Sequence, residues 1–349
     1  MSAEIGSFDP FNHGVASIRF TKAELPSFLQ GVLSEGWDIK HPTDVQHMDG
    51  TAYYRMTSDG IPYFFKKNRP SYERQQVIDD VTVYCHNEGI PTLNIVPTRT
   101  NALSFFDEKT GNNYSLSLFV PSEHYDGSRE ELRDVAHIVA RLHMVLARFP
   151  HTLKILESKP MLLRHDSEKL QAQLDQLQSS FSPSLDVPLQ YQNIHEISNA
   201  VYQQLSGATN EETQIIHRDL HPYNVLFDPF TQIFLAIHDF EQAIVSQRMR
   251  DIAMALHRFT RTYGSLTERK KDSASSLLER ADFFLNAYAA IQPTIALHAL
   301  IAMLQDEACS RISIVLEQLL QKSTEPLLAE FKKQVTLLGE CELFSPLLR

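Results

Sequence analysis

Cysteine is scarce in this chain. Cys85, Cys309 and Cys341 are spread across 349 positions, and none stands in a Cys-x-x-Cys. That usage argues against a disulfide framework or a structural zinc site and fits a reducing compartment, so a cytoplasmic location is expected. Positive charge is also short, with 32 Lys and Arg against 43 Asp and Glu for a net −11. A nucleic-acid surface needs clustered basic residues, so no nucleic-acid partner is expected. The acidic balance is compatible with a cationic small-molecule partner. Long uninterrupted apolar runs are missing. The most apolar stretch, Leu285–Leu304, contains Asn286, Gln292, Pro293 and His298 and reads as buried helix broken at the proline, with no membrane span expected. Residues 1–20 hold no apolar run after a basic start, so no signal peptide is expected. Internal repeats and low-complexity tracts are absent from the sequence.

What remains is an ordinary globular composition, 43% hydrophobic and 21% charged, long enough for two substantial cores. Its most informative stretch is Ile215-Ile216-His217-Arg218-Asp219-Leu220-His221-Pro222-Tyr223-Asn224-Val225-Leu226-Phe227. An Asp is followed five residues later by an Asn, and after it come an apolar run, a turn at Asp228-Pro229, a second apolar run (Ile233–Ile237) and Asp239. Two short strands joined by a tight connection fold back as a hairpin, so both outer ends emerge on one side. Asn224 and Asp239 flank that hairpin. The pattern therefore predicts an amide oxygen beside a carboxylate, a donor pair that suits Mg²⁺, a hard ion completed by phosphate and water oxygens. Asp219 is left to orient a hydroxyl for in-line attack on a γ-phosphate, the division of labour in phosphoryl transfer.

The segments His217–Asn224 and His238-Asp239-Phe240-Glu241 resemble the signature of the aminoglycoside phosphotransferase/choline kinase superfamily, whose members are kinase-like small-molecule phosphotransferases. The family carries Asp-Phe plus an acidic residue where protein kinases carry Asp-Phe-Gly. The match is strong at these two motifs, and weaker similarity extends over most of the chain. It implies an α+β, protein-kinase-like fold with a small mixed-sheet N-lobe (1–120), a large mainly helical C-lobe (121–349) and nucleotide between them. It also implies ATP and Mg²⁺ as cofactors.

The element order agrees with that fold. Thr21-Lys22-Ala23-Glu24 has the form of a capping box for a short helix through Leu33. Tyr53–Thr57 and Tyr63–Lys67, separated by Ser58-Asp59-Gly60, predict a hairpin. Tyr72–Glu88 reads as a helix with Val77, Ile78, Val81, Tyr84 and Cys85 on one face and Gly89 just past its end. Strands are expected near Leu93–Pro97, Ala102–Phe106 and Tyr114–Val120, the last ending at a hinge before Pro121. Beyond Ser122 helices dominate: Arg129–Arg148, Ser167–Leu177, Ile194–Leu205, and the last third from Asp251 to Leu338. The polar segment 157–212 falls where the family varies and shapes its acceptor pocket. His143 is expected to pack or cap.

The N-lobe should supply a lysine to the α/β-phosphates. A strand alternates faces, so Lys66 and Lys67 cannot both serve. The family register favours Lys66. For the helix acid that holds it, Glu73, Val77, Asp80 and Tyr84 share a face, and Asp79 falls with Gln75, Gln76 and His86 on the polar side. Asp80 is therefore expected, with Glu73 next. Met48-Asp49-Gly50-Thr51-Ala52 holds a single glycine. Gly50 and its neighbours either cap phosphate oxygens or form an ordinary hairpin turn. Adenine should meet backbone groups around Leu118–Val120. The resemblance makes His217 and Arg218 loop braces and gives Asp251 the task of holding the catalytic-loop backbone, with a plain N-cap as the other reading. His221, Tyr223 and Glu241 flank the site as acceptor contacts, and a carboxylate at Glu241 would suit an ammonium group.

The leading expectation is phosphorylation of a small-molecule hydroxyl. The superfamily's range covers amino sugars and antibiotics, choline or ethanolamine, homoserine, hydroxylysine and methylthioribose, and the helical C-terminal third loosely resembles the homoserine kinase-like branch. A Ser/Thr protein kinase is the second reading. Only eleven residues separate Asp239 from Asp251 and no Ala-Pro-Glu follows, too little for a peptide-binding activation segment. A nucleotide-binding module without catalysis is the third, and intact Asp219, Asn224 and Asp239 argue against it.

Overall fold

The computed structural model describes residues 18–20, 27–49, 53–150, 165–180, 188–206, 213–265, 268–269, 272–293, 297–322 and 324–348. Contacts divide the chain into two compact units that are discontinuous in sequence. The first is Met1–Val135, Pro222–Ala243 and Thr262–Lys271; the second is Ala136–His221, Ile244–Arg261 and Asp272–Arg349. The division thus falls at 135/136 rather than at 120/121, and it returns the hairpin after Asn224 to the first unit.

The first unit is built on a six-stranded antiparallel sheet ordered β1-β2-β3-β4-β6-β5. Its strands are β1 (Ile18–Phe20), β2 (Thr43–Asp49), β3 (Tyr53–Ser58), β4 (Ile61–Asn68), β5 (Phe105–Asp107) and β6 (Asn112–Leu118). Asp59 (φ 50°) and Gly60 (φ 78°) make the two-residue turn between β3 and β4, both in the left-handed region that such a hairpin turn requires. Helix α1 (Ser27–Trp37) runs beyond Leu33, and its expected capping box lies outside the described residues. Leu29 and Leu33 join Val45, Met56, Phe65 and Leu116 in one apolar cluster. Phe65 stacks on Tyr114 with ring centroids 5.3 Å apart. Burying a side chain of this size stabilises by about 1.5–3 kcal/mol. Because β4 alternates, Phe65 faces this cluster and Lys66 faces away from it.

Helix α2 (Tyr72–Asn87) opens on the Ser71 side chain, which accepts from the Arg74 N–H. It closes on Gly89 (φ 81°), with the Gly89 N–H donating to His86 O and the Ile90 N–H to Cys85 O. The strand expected at Leu93–Pro97 reduces to one isolated bridge, Ile95 with Ser117, because Pro91 and Pro97 bracket it. The next strand begins three residues later than its expected start, at Phe105. The expected hairpin of β9 (Val225–Phe227) and β10 (Phe234–Ile237) is present, and a short strand that was not foreseen, β7 (Glu123–His124), pairs with β9 to complete a second sheet.

The second unit is helical. It holds most of α3 (Arg129–Leu146), then α4 (Ser167–Ser180), α5 (Pro188–Ser206), α6 (Arg248–Phe259), α7 (Ala274–Ile291), α8 (Leu297–Gln321) and α9 (Glu325–Glu340). One two-stranded ladder, β8 (Thr213–Ile216) with β11 (Ile244–Gln247), sits at its motif end. The helix break expected at Pro293 is present: α7 stops at Ile291 and α8 starts at Leu297. The last third is not wholly helical, since β12 (Tyr263–Ser265) pairs with β13 (Glu268–Arg269). Helix α8 touches α4, α5, α6 and α9, and Ala299–Ser310 are all buried. Along that stretch the helix has no solvated face, so Asp306 and Glu307 must find partners indoors. All three cysteines are buried free thiols. Among the described residues no helix is long and apolar enough to cross a membrane.

Candidate active site

The hairpin β9–β10 brings Asn224 and Asp239 together. Val225 pairs with Ile237, and the His238 N–H donates to Asn224 O at 3.0 Å. Asp228 rigidifies the far turn, its Oδ1 accepting from the Phe230 and Thr231 amides at 3.0 and 2.8 Å. The Ile237 N–H donates to Pro91 O, tying the hairpin to the segment after α2. Asn224 closes a short 3₁₀ turn (Pro222–Asn224) and is buried; Asp239 precedes another (Phe240–Gln242) with φ 64°. A non-glycine residue in that region is strained and tends to mark a functional position.

Lys66 reaches the same place. Its Nζ lies 2.7 Å from Asp239 Oδ1 and 2.7 Å from Glu241 Oε1. Lys67, one step along the strand, shares the face of Phe65. Glu241 also accepts from the Arg69 N–H at 3.5 Å and is 7% exposed. The expectation that Glu241 meets an acceptor's ammonium is therefore corrected: its carboxylate is buried and neutralised by Lys66. The helix acid is corrected as well. Asp80 and Glu73 are exposed, whereas Asp79 is buried and accepts from Gln75 Nε2 at 2.7 Å. Burial pushes the Asp79 carboxyl up to about 6, partly opposed by the Gln75 hydrogen bond and by the nearby charge of Lys66. Gln75 and Asp79 turn inward beside Ile78, Val81 and Cys85, whereas Asp80 does not.

At the expected adenine contact, the Leu118 N–H donates to Asn94 O and the Phe119 N–H to Pro62 O. Val120 follows in extended chain, half-buried. Gly50 lies outside the described residues. Tyr223 is half-buried with its ring edge-on to His124, centroids 5.4 Å apart.

Residues 217–221, expected to form the catalytic loop, belong to the second unit. Asp251 holds them: its Oδ2 accepts from the His217 N–H at 2.7 Å and its Oδ1 from the Arg218 N–H at 2.6 Å. Asp251 lies inside the first turn of α6, whose N-cap is Gln247, so the plain N-cap reading is set aside. His143 Nε2 donates to Asp251 Oδ2 at 3.3 Å, and its other nitrogen sits 2.8 Å from the Tyr288 hydroxyl. The Asp219 N–H donates to His217 Nδ1 at 3.3 Å. Arg218, at φ 64°, points its guanidinium to Glu307.

Asp219 is 28% exposed at its side chain, with His221 Nε2 at 3.4 Å from Oδ2 and Arg311 Nη2 at 4.0 Å from Oδ1. Burial alone would raise this carboxyl. The His221 hydrogen bond and the charges of His221, Arg311 and His217 outweigh it and hold the group well below the usual carboxylate range. Asp219 is thus an ionised, weakly basic acceptor. Behind it runs a buried ionic ladder that sequence reasoning missed. Glu307 takes Arg311 Nε at 3.0 Å, Arg250 Nη1 at 3.1 Å and Arg218 Nη2 at 3.4 Å. Arg250 also reaches Asp306 Oδ2 at 2.5 Å, and His165 Nδ1 donates to Asp306 Oδ1 at 2.6 Å. The only sequence signal was a cluster of charges, Asp306-Glu307 and Arg311, in an otherwise apolar helix.

The donor chemistry fits a hard divalent ion. An amide oxygen and a carboxylate leave most of the coordination sphere to phosphates and water, as Mg²⁺ prefers. Among the described residues no cluster of three or more His, Cys, Asp or Glu forms an all-protein metal cage.

Against that geometry, the sequence model of the phosphotransferase enzyme family matches residues 46–290, and the chain belongs to that family. The fold is the kinase-like two-lobe α+β fold of solved relatives. A spectinomycin phosphotransferase, solved with ADP and spectinomycin, is 15% identical at a TM-score of 0.64, covering 90% of this chain and 98% of that one. A microcompartment-associated aminopropanol kinase is 13% identical at 0.66, covering 92% and 97%. A choline kinase from Streptococcus pneumoniae is 13% identical at 0.59, covering 90% and 98%. No protein of curated function matches the sequence.

Proposed function

We propose that the protein transfers the γ-phosphoryl group of ATP to a hydroxyl of a small molecule, with Mg²⁺. The observation that carries this reading is the meeting of Lys66, Asn224 and Asp239: a cation and two hard oxygen donors drawn from a sheet strand and the two ends of one hairpin. Asn224 and Asp239 would hold the ion, which when bound offsets charge on the β- and γ-phosphates. Lys66 supplies its charge to the α/β-phosphates, and Asp79, whose buried carboxyl feels the charge of Lys66, is the α2 acid that would steady it. With the Leu118 and Phe119 amides committed, Val120 offers the backbone groups for adenine. Asp219, five residues before Asn224, orients the acceptor hydroxyl and takes its proton late in a loose transition state. A carboxylate held this far below its ordinary range is a poor base, so its contribution is mainly positional.

By their names the relatives act on spectinomycin, aminopropanol and choline, which supports a small polar acceptor without choosing among them. A protein substrate is disfavoured by the eleven residues between Asp239 and Asp251. The direct test is a thermal-shift screen of hydroxylated metabolites and antibiotics with Mg²⁺ and a non-hydrolysable ATP analogue, since a ligand of the native state raises apparent stability. Hits should be phosphorylated when ATP replaces the analogue. A chain that binds no Mg·nucleotide at all would overturn the reading.

A further inference from the structure

We propose that Arg311 is a positioning residue for the transfer step: with His221 on the opposite oxygen, it fixes the plane of the Asp219 carboxylate that an incoming hydroxyl must meet. The inference rests on the reading of Asp219 given above.

The two oxygens of Asp219 are treated differently. His221 Nε2 stands 3.4 Å from Oδ2, while Arg311 Nη2 stands 4.0 Å from Oδ1. The first distance marks a long hydrogen bond; the second is beyond one. A guanidinium at that range attracts the oxygen and resists rotation of the carboxylate, yet leaves a lone pair for a hydroxyl. Such a cation is useful only if it does not itself wander, and Arg311 is anchored. Its Nε lies 3.0 Å from Glu307 Oε1, one helical turn back along α8. Glu307 is 1% exposed and is held in turn by Arg250 and Arg218. Arg250 joins Asp306, and Asp306 joins His165, whose Nε2 lies 2.8 Å from the Ser198 hydroxyl. This chain is dry at the Asp306 end and wet only at its tip: Arg311, His221 and Asp219 are each about a quarter exposed.

A purely structural pair would have no need of this tip. Arg311 already has its partner in Glu307, and an exposed ion pair adds little stability by itself. Among the groups facing Asp219 are His217, His221 and Arg311, and their combined pull against burial keeps the carboxyl ionised, in line with the geometry.

The test compares R311M and R311K with D219N, using Mg·ATP hydrolysis by water as the assay. A carboxyl ¹³C titration of Asp219, assigned by its loss in D219N, is run alongside. R311M should lose about 10–100-fold in kcat, the scale of a small misplacement of a catalytic group, with the KM for ATP within about twofold. Its Asp219 midpoint should move up toward the ordinary carboxylate value. R311K keeps the charge and loses the fork, so it should recover part of kcat and, if R311M fails to fold, carries the comparison alone. Wild-type kcat in the folded Arg311 variants, with D219N impaired, overturns the positioning role whatever the titration shows. Wild-type turnover in D219N overturns the active-site reading itself, and the proposal with it.

Discussion

Lys66 and Asp239 stand 173 residues apart in sequence and 2.7 Å apart in space. The lysine is the only one of its strand pair to face that way, so its replacement should be far costlier than its neighbour's. K66A should lose at least about tenfold more kcat/KM for ATP than K67A, a difference worth about 1.4 kcal/mol of transition-state stabilisation. The reverse order, read from steady-state kinetics of the two variants, would place Lys67 at the phosphates.

Removing the Lys66 amine also leaves Asp239 and Glu241 facing each other in a mostly buried place. K66M should therefore unfold about 1–3 kcal/mol more easily in denaturant than the parent, the cost of leaving buried polar groups unpaired. Added Mg²⁺ should restore part of the loss if Asp239 is a metal ligand. D239A should lose Mg²⁺-dependent nucleotide binding, measured by calorimetry.

D219N keeps shape and removes charge. Its kcat should fall by about 10²–10⁴-fold, the usual range for a positioned acid or base, while Mg·ATP affinity stays within about threefold of the parent. Turnover at the parent rate with a known acceptor would assign the step to another residue.

Asp79 links pH to stability. Its carboxyl rises from an ordinary 3.8 to about 6 in the fold, chiefly through burial. A raised carboxyl binds its proton more tightly when folded, so its stabilising contribution is complete below about pH 4. That contribution is lost as pH climbs through about 6. D79N should flatten this slope and be relatively more stable above pH 6, yet turn over more slowly if Asp79 steadies Lys66. Chemical denaturation at a series of pH values separates the two effects; an unchanged slope in D79N would remove Asp79 as its source.

D251A should loosen the catalytic loop. The carboxylate takes two backbone N–H groups at 2.7 and 2.6 Å in a fully buried setting. Loss of charge-assisted bonds of this kind costs about 1.5–3 kcal/mol each. The denaturation midpoint should fall accordingly, with faster amide exchange at His217 and Arg218. Protection unchanged at those two amides would mean the loop is held by other groups.

Local signals wrote much of this fold. The Asp59-Gly60 turn, the Gly89 helix stop, the break near Pro293 and the hairpin after Asn224 each depend on residues within a few positions of one another, so pattern reading reaches them. The failures share a different cause. The buried face of α2 holds Gln75 and Asp79, joined by one hydrogen bond, beside the expected Ile78, Val81 and Cys85; a rule that sends only apolar residues inward misses the two polar ones. Glu241 read as an open carboxylate because its cation lies on a distant strand. Arg311, Glu307 and Asp306 drew no expectation at all, because nothing near them in sequence shows that this part of α8 is buried. The site's motif residues were visible in the sequence, and their distant partners were not.

That ladder also bears on the order in which the protein becomes competent during synthesis. The whole motif, through Asp239, has left the ribosome well before Glu307, which lies 89 residues beyond Arg218. Domains tend to fold as they emerge, N-terminal parts first. Here the loop bearing Asp219 must wait for α8 to arrive before its arginines have their carboxylates. A stalled nascent chain ending near residue 296 should thus carry every motif residue and still show a loose loop in limited proteolysis. One extended past α9 should protect it. The helix that braces the loop bearing Asp219 is made well after the loop itself.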